Sequence, residues 1–286
     1  MNWLGGRESD NVEDRRGGGG GGLLVGGGIG TVVIAVIVML LGGDPSEVLN
    51  QSAPDQATEQ QAPTGPQADD AAAHFTRKVL ASTEDVWTKI FADQGSQYRK
   101  PTLVMFRNVT SSGCGTAQEA MGPFYCPVDQ KVYIDLSFYD ELAQRFQAPG
   151  DFAMAYVVAH EIGHHVQKQL GIMEQTDALR ARMSSQEYNK VSVRLELQAD
   201  FFAGVWAHHA QGQSIALDEN DVESALTAAN AIGDDKIQEE TQGRVVPDAF
   251  THGTSAQRVY WFKKGLKTGD IKQGDTFNSR EDANLQ

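Results

Sequence analysis

The chain has 286 residues, 40 % apolar and 22 % charged, enough for one large or two small domains. Its net charge of −14, with no basic run, argues against nucleic acid as a partner and would repel the soluble part from an anionic lipid surface. Two cysteines are too few for a disulfide framework, so they matter only through where they fall.

Residues 1–22 are polar and end in six consecutive glycines. Nothing in them builds a core, and they read as a disordered cytoplasmic tail. Residues 23–41 carry no charge. As a helix they would span roughly 28 Å, about one bilayer core, so residues 23–42 are predicted to be a transmembrane helix. The competing reading is a cleaved signal peptide, but the run is long for one, and Gly42-Gly43-Asp44-Pro45 is a poor cleavage site. Gly26 and Gly30 have the spacing of a helix-dimer face, a weak signal in so glycine-rich a stretch. Arg7, Arg15 and Arg16 precede the run, and the next basic residue is Arg77. Basic flanks stay in the cytoplasm, so the expected topology is a single-pass cell-membrane protein with its bulk outside. Residues 43–71 are rich in Gln, Pro, Ala and acids and read as a flexible linker.

The folded domain is expected over residues 72–268. Val79, Leu80, Val86, Trp87, Ile90 and Phe91 have helical spacing, and Thr83 with Glu84 and Asp85 reads as the start of a second helical piece. Residues 102–106 read as a short strand after Pro101. Cys114 and Cys126 are expected to form a disulfide in an oxidising compartment, contributing roughly 3 kcal/mol by loop closure. Residues 131–136 alternate as a strand.

His160-Glu161-Ile162-Gly163-His164 reads H-E-x-x-H. Two His at i and i+4 share one helix face and can grip one ion, zinc above all. Glu161 sits near the same mouth, placed to act as a base toward water. Phe152, Ala155, Tyr156, Ala159, Ile162, Val166 and Leu170 give that helix an apolar face. Buried His and Glu are costly unless paired or metal-bound. His165 points elsewhere and reads as a support or surface residue. Leu170 stands where one known motif class carries a third His, which excludes that class.

Residues 184–190 are polar and are read as preceding a second helix over 193–206. That helix is apolar nearly all round, yet carries Glu196 and Asp200 one turn apart. Glu196 as third zinc ligand and Asp200 bonded to the second nitrogen of a ligand His would satisfy both. The competing reading is a pair of exposed helix charges. Ala203 and Gly204 would let the two helices approach closely. His208 and His209 fall near the helix end, where the dipole favours His. Residues 218–232 read as a further helix capped by Asp218 or Asn220.

Thr251-His252-Gly253-Thr254-Ser255 is a polar turn entering a helix over 256–264, capped by Thr254 or Ser255. His252 is a candidate catalytic donor to an oxyanion, or else a surface His on a capping loop. Arg258 is placed to hold a carboxylate nearby. Residues 269–286 read as a frayed polar tail.

H-E-I-G-H-H, E-L-Q-A-D, G-P-F-Y-C-P and T-H-G-T-S-A-Q-R stand at 160–165, 196–200, 122–127 and 251–258. Together they resemble a bacterial family of membrane-anchored neutral zinc metallopeptidases, over roughly residues 99–265. Phe201 departs from many members, which have Cys after that Asp. The resemblance implies a zincin-like α+β fold, mainly helical with a small antiparallel sheet. It also implies Zn2+ as cofactor, His160, His164 and Glu196 as ligands, Glu161 as base, and a peptide or protein substrate. It further implies that an edge strand, at 122–125 or 131–136, takes the substrate as an added strand; an ordinary core strand is the alternative. The rival function is a membrane adaptor on the same fold with little or no hydrolysis. A structural zinc domain is disfavoured, because such sites need four protein ligands and are commonly Cys-rich.

Overall fold

The computed structural model describes residues 2–3, 6–16, 71–118, 122–144, 146, 148, 151–231 and 233–285. The predicted membrane helix at 23–42 and the linker, up to residue 70, lie outside them. No helix among the described residues is long and apolar enough to cross a membrane. Met1–Arg16 and Ala68–Gln286 belong to one compact unit.

Helices dominate that unit, in line with an α+β chain. α1 (Ala71–Asp93) buries Val79, Leu80, Val86, Trp87, Ile90 and Phe91, as their spacing predicts. It is one helix, not two pieces: Thr83 turns its hydroxyl back to the Leu80 carbonyl, and the helix continues through Glu84, which is fully buried. After α2 (Phe138–Gln144) comes α3 (Asp151–Gln169), which carries the H-E-x-x-H sequence and buries Phe152 through Gly163. Leu170, expected on its apolar face, falls just past the helix end and is exposed. The short α4 (Ile172–Arg180) leads to α5 (Ser185–Ala210).

α5 starts earlier than the polar 184–190 stretch suggested. Ser184 and Glu187 form a reciprocal capping box, and the first turns are polar because they face water. α6 (Glu219–Ala231) is capped by Asp218, whose Oδ1 accepts the Asp221 amide at 2.9 Å. α7 (Asp234–Gln242) and α8 (Ser255–Thr268) follow, the latter capped by Thr254 in a box with Gln257.

Glycines set the distances between the central helices. A Cβ on Gly163 of α3 would stand 2.8 Å from the Ala199 carbonyl oxygen of α5. On Gly204 it would meet the Phe262 carbonyl oxygen of α8 at 2.2 Å. Gly204 therefore seats α5 on α8, and it is Gly163 that lets the two motif-bearing helices close on each other.

The main sheet has the order β2 (Val12–Asp14), β3 (Thr102–Phe106), β7 (Lys131–Asp135), β6 (Phe124–Cys126). It is mixed rather than antiparallel. β2 and β7 both run parallel to β3, with Val12 opposite Leu103 and Leu103 opposite Val132. Long connections separate those strands in sequence, which parallel pairing requires. Only β6 and β7, joined by a tight turn, pair antiparallel, with Phe124 opposite Tyr133. A separate hairpin, β4 (Val109–Ser112) with β5 (Gly115–Gln118), carries Cys114 in its turn. Cys114 is disulfide-bonded to Cys126, which ties the hairpin to the end of β6.

Both presumed tails belong to the fold. β2 lies in the sheet, and β1 (Asn2–Trp3) pairs with β8 (Ile215–Ala216). At the other end Thr276 and Asp282 are fully buried, and Arg194 grips Asp282 through both carboxylate oxygens. Polar segments look unfoldable by composition because a core needs apolar side chains. These are held instead by hydrogen bonds and ion pairs to distant residues, which composition does not show.

Candidate metal centre

Helical spacing puts His160 and His164 one turn apart on α3, and Gly163 brings α5 close enough for Glu196 to reach both. Glu196 Oε2 lies 3.1 Å from His160 Nε2, and its Oε1 lies 3.4 Å from His164 Nε2. One donor atom from each of the three residues falls within 4.8 Å of the others. Two imidazole nitrogens and one carboxylate oxygen, facing a cavity rather than closed off, match the donor set of a catalytic zinc site.

The outward nitrogens of both rings are held. His160 Nδ1 donates to Asp200 Oδ1 at 2.8 Å, and His164 Nδ1 donates to Gln167 Oε1 at 2.9 Å. Each bond fixes the ring orientation and occupies Nδ1, which leaves Nε2 turned to Glu196 as the atom that would meet a cation. Asp200 is itself held by Arg258, at 2.9 Å from Nε to Oδ2 and 3.0 Å from Nη2 to Oδ1, and by the Tyr156 hydroxyl at 2.5 Å. Arg258, Asp200 and Tyr156 are all buried, so the carboxylate that meets His160 is itself held in a dry, fully bonded network. Gln167 fixes its own orientation by donating to the Leu195 carbonyl at 2.7 Å.

Burial raises the Glu161 carboxyl above the ordinary range despite the pull of His160 and His164. Burial opposes ionisation of Glu196 too, but His164 and His160 outweigh it and hold that carboxyl well below 4.5. Desolvation pushes the His160 ring down, yet Asp200 and Glu196 together bring it up to about 10. Desolvation opposes protonation of His164 too, but Glu196 outweighs it and raises that ring, so the carboxylates favour positive charge between them.

The cavity over these groups has a volume of about 480 Å³. The 122–125 segment, Glu161 and His252 line it along with the cluster, and Phe138 and Phe146 add an apolar wall. β6 ends the sheet order on this side, so of the two candidate strands it is the one at the edge; β7 lies inside the sheet. Tyr125 links β6 to α3 twice. Its backbone amide favours the charged form of Glu161, and its hydroxyl donates to His165 Nδ1 at 3.0 Å. His165 is buried rather than at the surface. Its Nε2 donates to the Arg99 carbonyl at 2.6 Å, and burial lowers its pKa to about 4.

His252 reaches the cavity from the loop before α8. Asp234, at the start of α7, accepts the backbone amides of Thr251 and His252 at 2.6 Å each, and that of Gly253 at 3.1 Å. The same carboxylate meets His252 Nδ1 at 3.1 Å. His208 and His209 stand apart, bonded to the Leu266 and Gly269 carbonyls at the end of α8. Gln167 and Asp234 went unsingled in the sequence. Gln167 stands three residues after His164, and that helical spacing was the available signal; Asp234 is far from His252 in sequence and gave none.

A sequence profile described as "Putative neutral zinc metallopeptidase" matches residues 1–277. The chain is 49 % identical over 288 aligned residues to the uncharacterised protein YpfJ of Escherichia coli, covering 97 % of this chain and 99 % of that one. It is 41 % identical over 210 residues to the uncharacterised protein Rv2575 of Mycobacterium tuberculosis, covering 70 % and 69 %. No solved structure matches it. With its two His, its Glu and the cavity they face, the chain belongs to the family of putative neutral zinc metallopeptidases.

Proposed function

We propose that this protein is a zinc-dependent endopeptidase of zincin-like fold, attached to the cell membrane with its catalytic domain outside the cytoplasm. The observation that carries the reading is the convergence of His160, His164 and Glu196 with Glu161 on one cavity beside the edge strand β6. His160, His164 and Glu196 would hold the ion. Zinc bound there supplies Lewis acidity for the scissile carbonyl and for the attacking water. The Glu161 carboxylate takes the proton from that water and delivers it to the leaving amine. An extended peptide adds to β6 as a further strand, which brings its carbonyl over the cluster. His252 donates to the oxygen that becomes negative. The Cys114–Cys126 disulfide supports an oxidising compartment, and the apolar composition of residues 23–41 supports attachment to a bilayer.

The test is hydrolysis of a peptide library by the purified chain, beside Glu161→Gln and a chelator-treated sample. Cleavage that Glu161→Gln abolishes while zinc content stays near one per chain supports the reading. Equal, chelator-insensitive cleavage by both proteins, or none by either with zinc bound, favours the adaptor.

A further inference from the structure

Glu84 lies in the middle of α1, fully buried, and most of what holds its carboxylate comes from the far N-terminus. Arg7 Nη2 reaches Oε2 at 2.6 Å, and the Ser9 hydroxyl and Asn11 Nδ2 reach Oε1 at 2.6 Å each. Among the other described residues Lys100 approaches, at 3.4 Å. The segment then continues as β2, where the Leu103 amide donates to the Asn11 carbonyl at 2.9 Å and the Arg15 amide to the Met105 carbonyl at 2.8 Å. Glu13 pairs with Lys131 of β7, and Ser9 is buried. A carboxylate removed from water is costly unless its oxygens are satisfied, and removing its partners leaves that cost uncompensated. Residues 6–16 are therefore a structural strap, present wherever the folded unit is. The family match begins at residue 1, ahead of the strap.

This placement bears on the membrane. One crossing between residues 16 and 71 would leave the strap on one face and Glu84 on the other. Residues 23–41 are long enough for one crossing, and residues 42–70 hold no second apolar run that could bring the chain back. We propose that residues 6–16 and the metal centre occupy the same compartment, so that no single membrane crossing separates them. This revises the expected topology, in which Arg7, Arg15 and Arg16 keep the N-terminus in the cytoplasm. Arg7 pairs with Glu84 and Asp85 of α1, and Arg15 donates to the Thr110 hydroxyl and the Ser111 carbonyl of β4, so these two serve the fold and are poor markers of sidedness. The inference rests on the fold alone and stands whether or not the site hydrolyses peptides.

The test uses the full-length chain in cell membranes. Single cysteines replace the exposed Asp10 in the strap and the exposed Lys89 on α1, in separate proteins. A membrane-impermeant maleimide is applied to intact cells and to lysed cells. The expected result is agreement: both positions react in intact cells, or both react only after lysis. Reaction of one in intact cells while the other waits for lysis overturns the proposal. A cysteine-free readout runs beside it: protease is added to intact spheroplasts carrying one epitope ahead of Met1 and another after Gln286. Loss of one epitope with protection of the other overturns the proposal as well; a shared fate supports it.

Discussion

Asp200 and Glu196 hold opposite nitrogens of one ring: Asp200 Oδ1 meets His160 Nδ1 at 2.8 Å, and Glu196 Oε2 meets His160 Nε2 at 3.1 Å. One turn of α5 therefore separates a residue facing the ion position from one facing away. Glu196→Ala removes a donor atom and is expected to abolish tight zinc binding. Asp200→Asn leaves all three donors; it loosens the ring, a change that typically costs 10–100-fold in affinity or activity, and also lowers stability by depriving buried Arg258 of its counter-charge. Zinc affinity of both variants, measured by competition with a chelator, checks the order. A greater loss in Asp200→Asn would reverse the two roles.

Tyr125 connects the cleft edge to the helix bearing Glu161, and His165 anchors that connection. Tyr125→Phe removes the hydroxyl that His165 accepts and is expected to keep zinc at wild-type stoichiometry. Leaving a buried acceptor unpaired costs about 1–3 kcal/mol, so a lower Tm accompanies it. Because β6 is displaced and the zinc donors are not, KM should rise by a larger factor than kcat falls. A drop in kcat alone, with KM unchanged, would show that β6 does not position the substrate.

What the sequence made legible follows periodicity. α3 and α5 announce themselves through their apolar residues and α8 through its capping turn, and the His160, His164, Glu196 and Asp200 cluster was readable because carboxylates inside an apolar helix demand partners. The strap and the 269–286 segment were not readable. Their order comes from single long-range bonds such as Ser9 to Glu84 and Gln198 to the Gly274 carbonyl, which no local pattern records. Glu84 misled for the same reason. A Thr-Glu-Asp run looks like a helix start when its partners lie more than seventy residues away. The sheet, expected to be antiparallel, is mixed because β2, β3 and β7 pair in parallel across long connections.

Gly204 and Gly265 bring α5 and α8 nearly into backbone contact. A Cβ at Gly265 would stand 2.1 Å from the Phe201 carbonyl oxygen, so neither helix can yield by moving a side chain alone. Gly204→Ala and Gly265→Ala are each expected to destabilise the unit by at least about 3 kcal/mol, at the severe end of overpacking. Gly212→Ala is the control: it has a positive φ but open space around it, and should cost only about 1–2 kcal/mol. Urea unfolding of the three variants ranks them. An equal loss in all three would mean that α5 and α8 separate easily.

His252 and Asp234 give the site a pH signature. The bond from Asp234 raises His252 above 6.5, against the opposing effect of burial. Burial pushes Asp234 up, but its bonds to His252 and Thr251 outweigh this and leave it below 3.8. A His with a raised pKa contributes its bond fully below 6.5, and that contribution is lost as pH rises through the folded value. The Asp234 contribution is present above 3.8 and is lost as pH falls through its own depressed value. The loop is therefore held best between those two limits. If protonated His252 donates to the oxyanion, kcat/KM should decline on the alkaline side, at a pH above 6.5. Asp234→Asn removes the charge that raises His252, so the decline should begin at lower pH, while His252→Phe should lower the plateau and abolish this part of the decline. Profiles of kcat/KM against pH for the three proteins decide the matter. An alkaline limb that stays in place in both variants would assign it to another group and leave His252 as a loop residue held by Asp234.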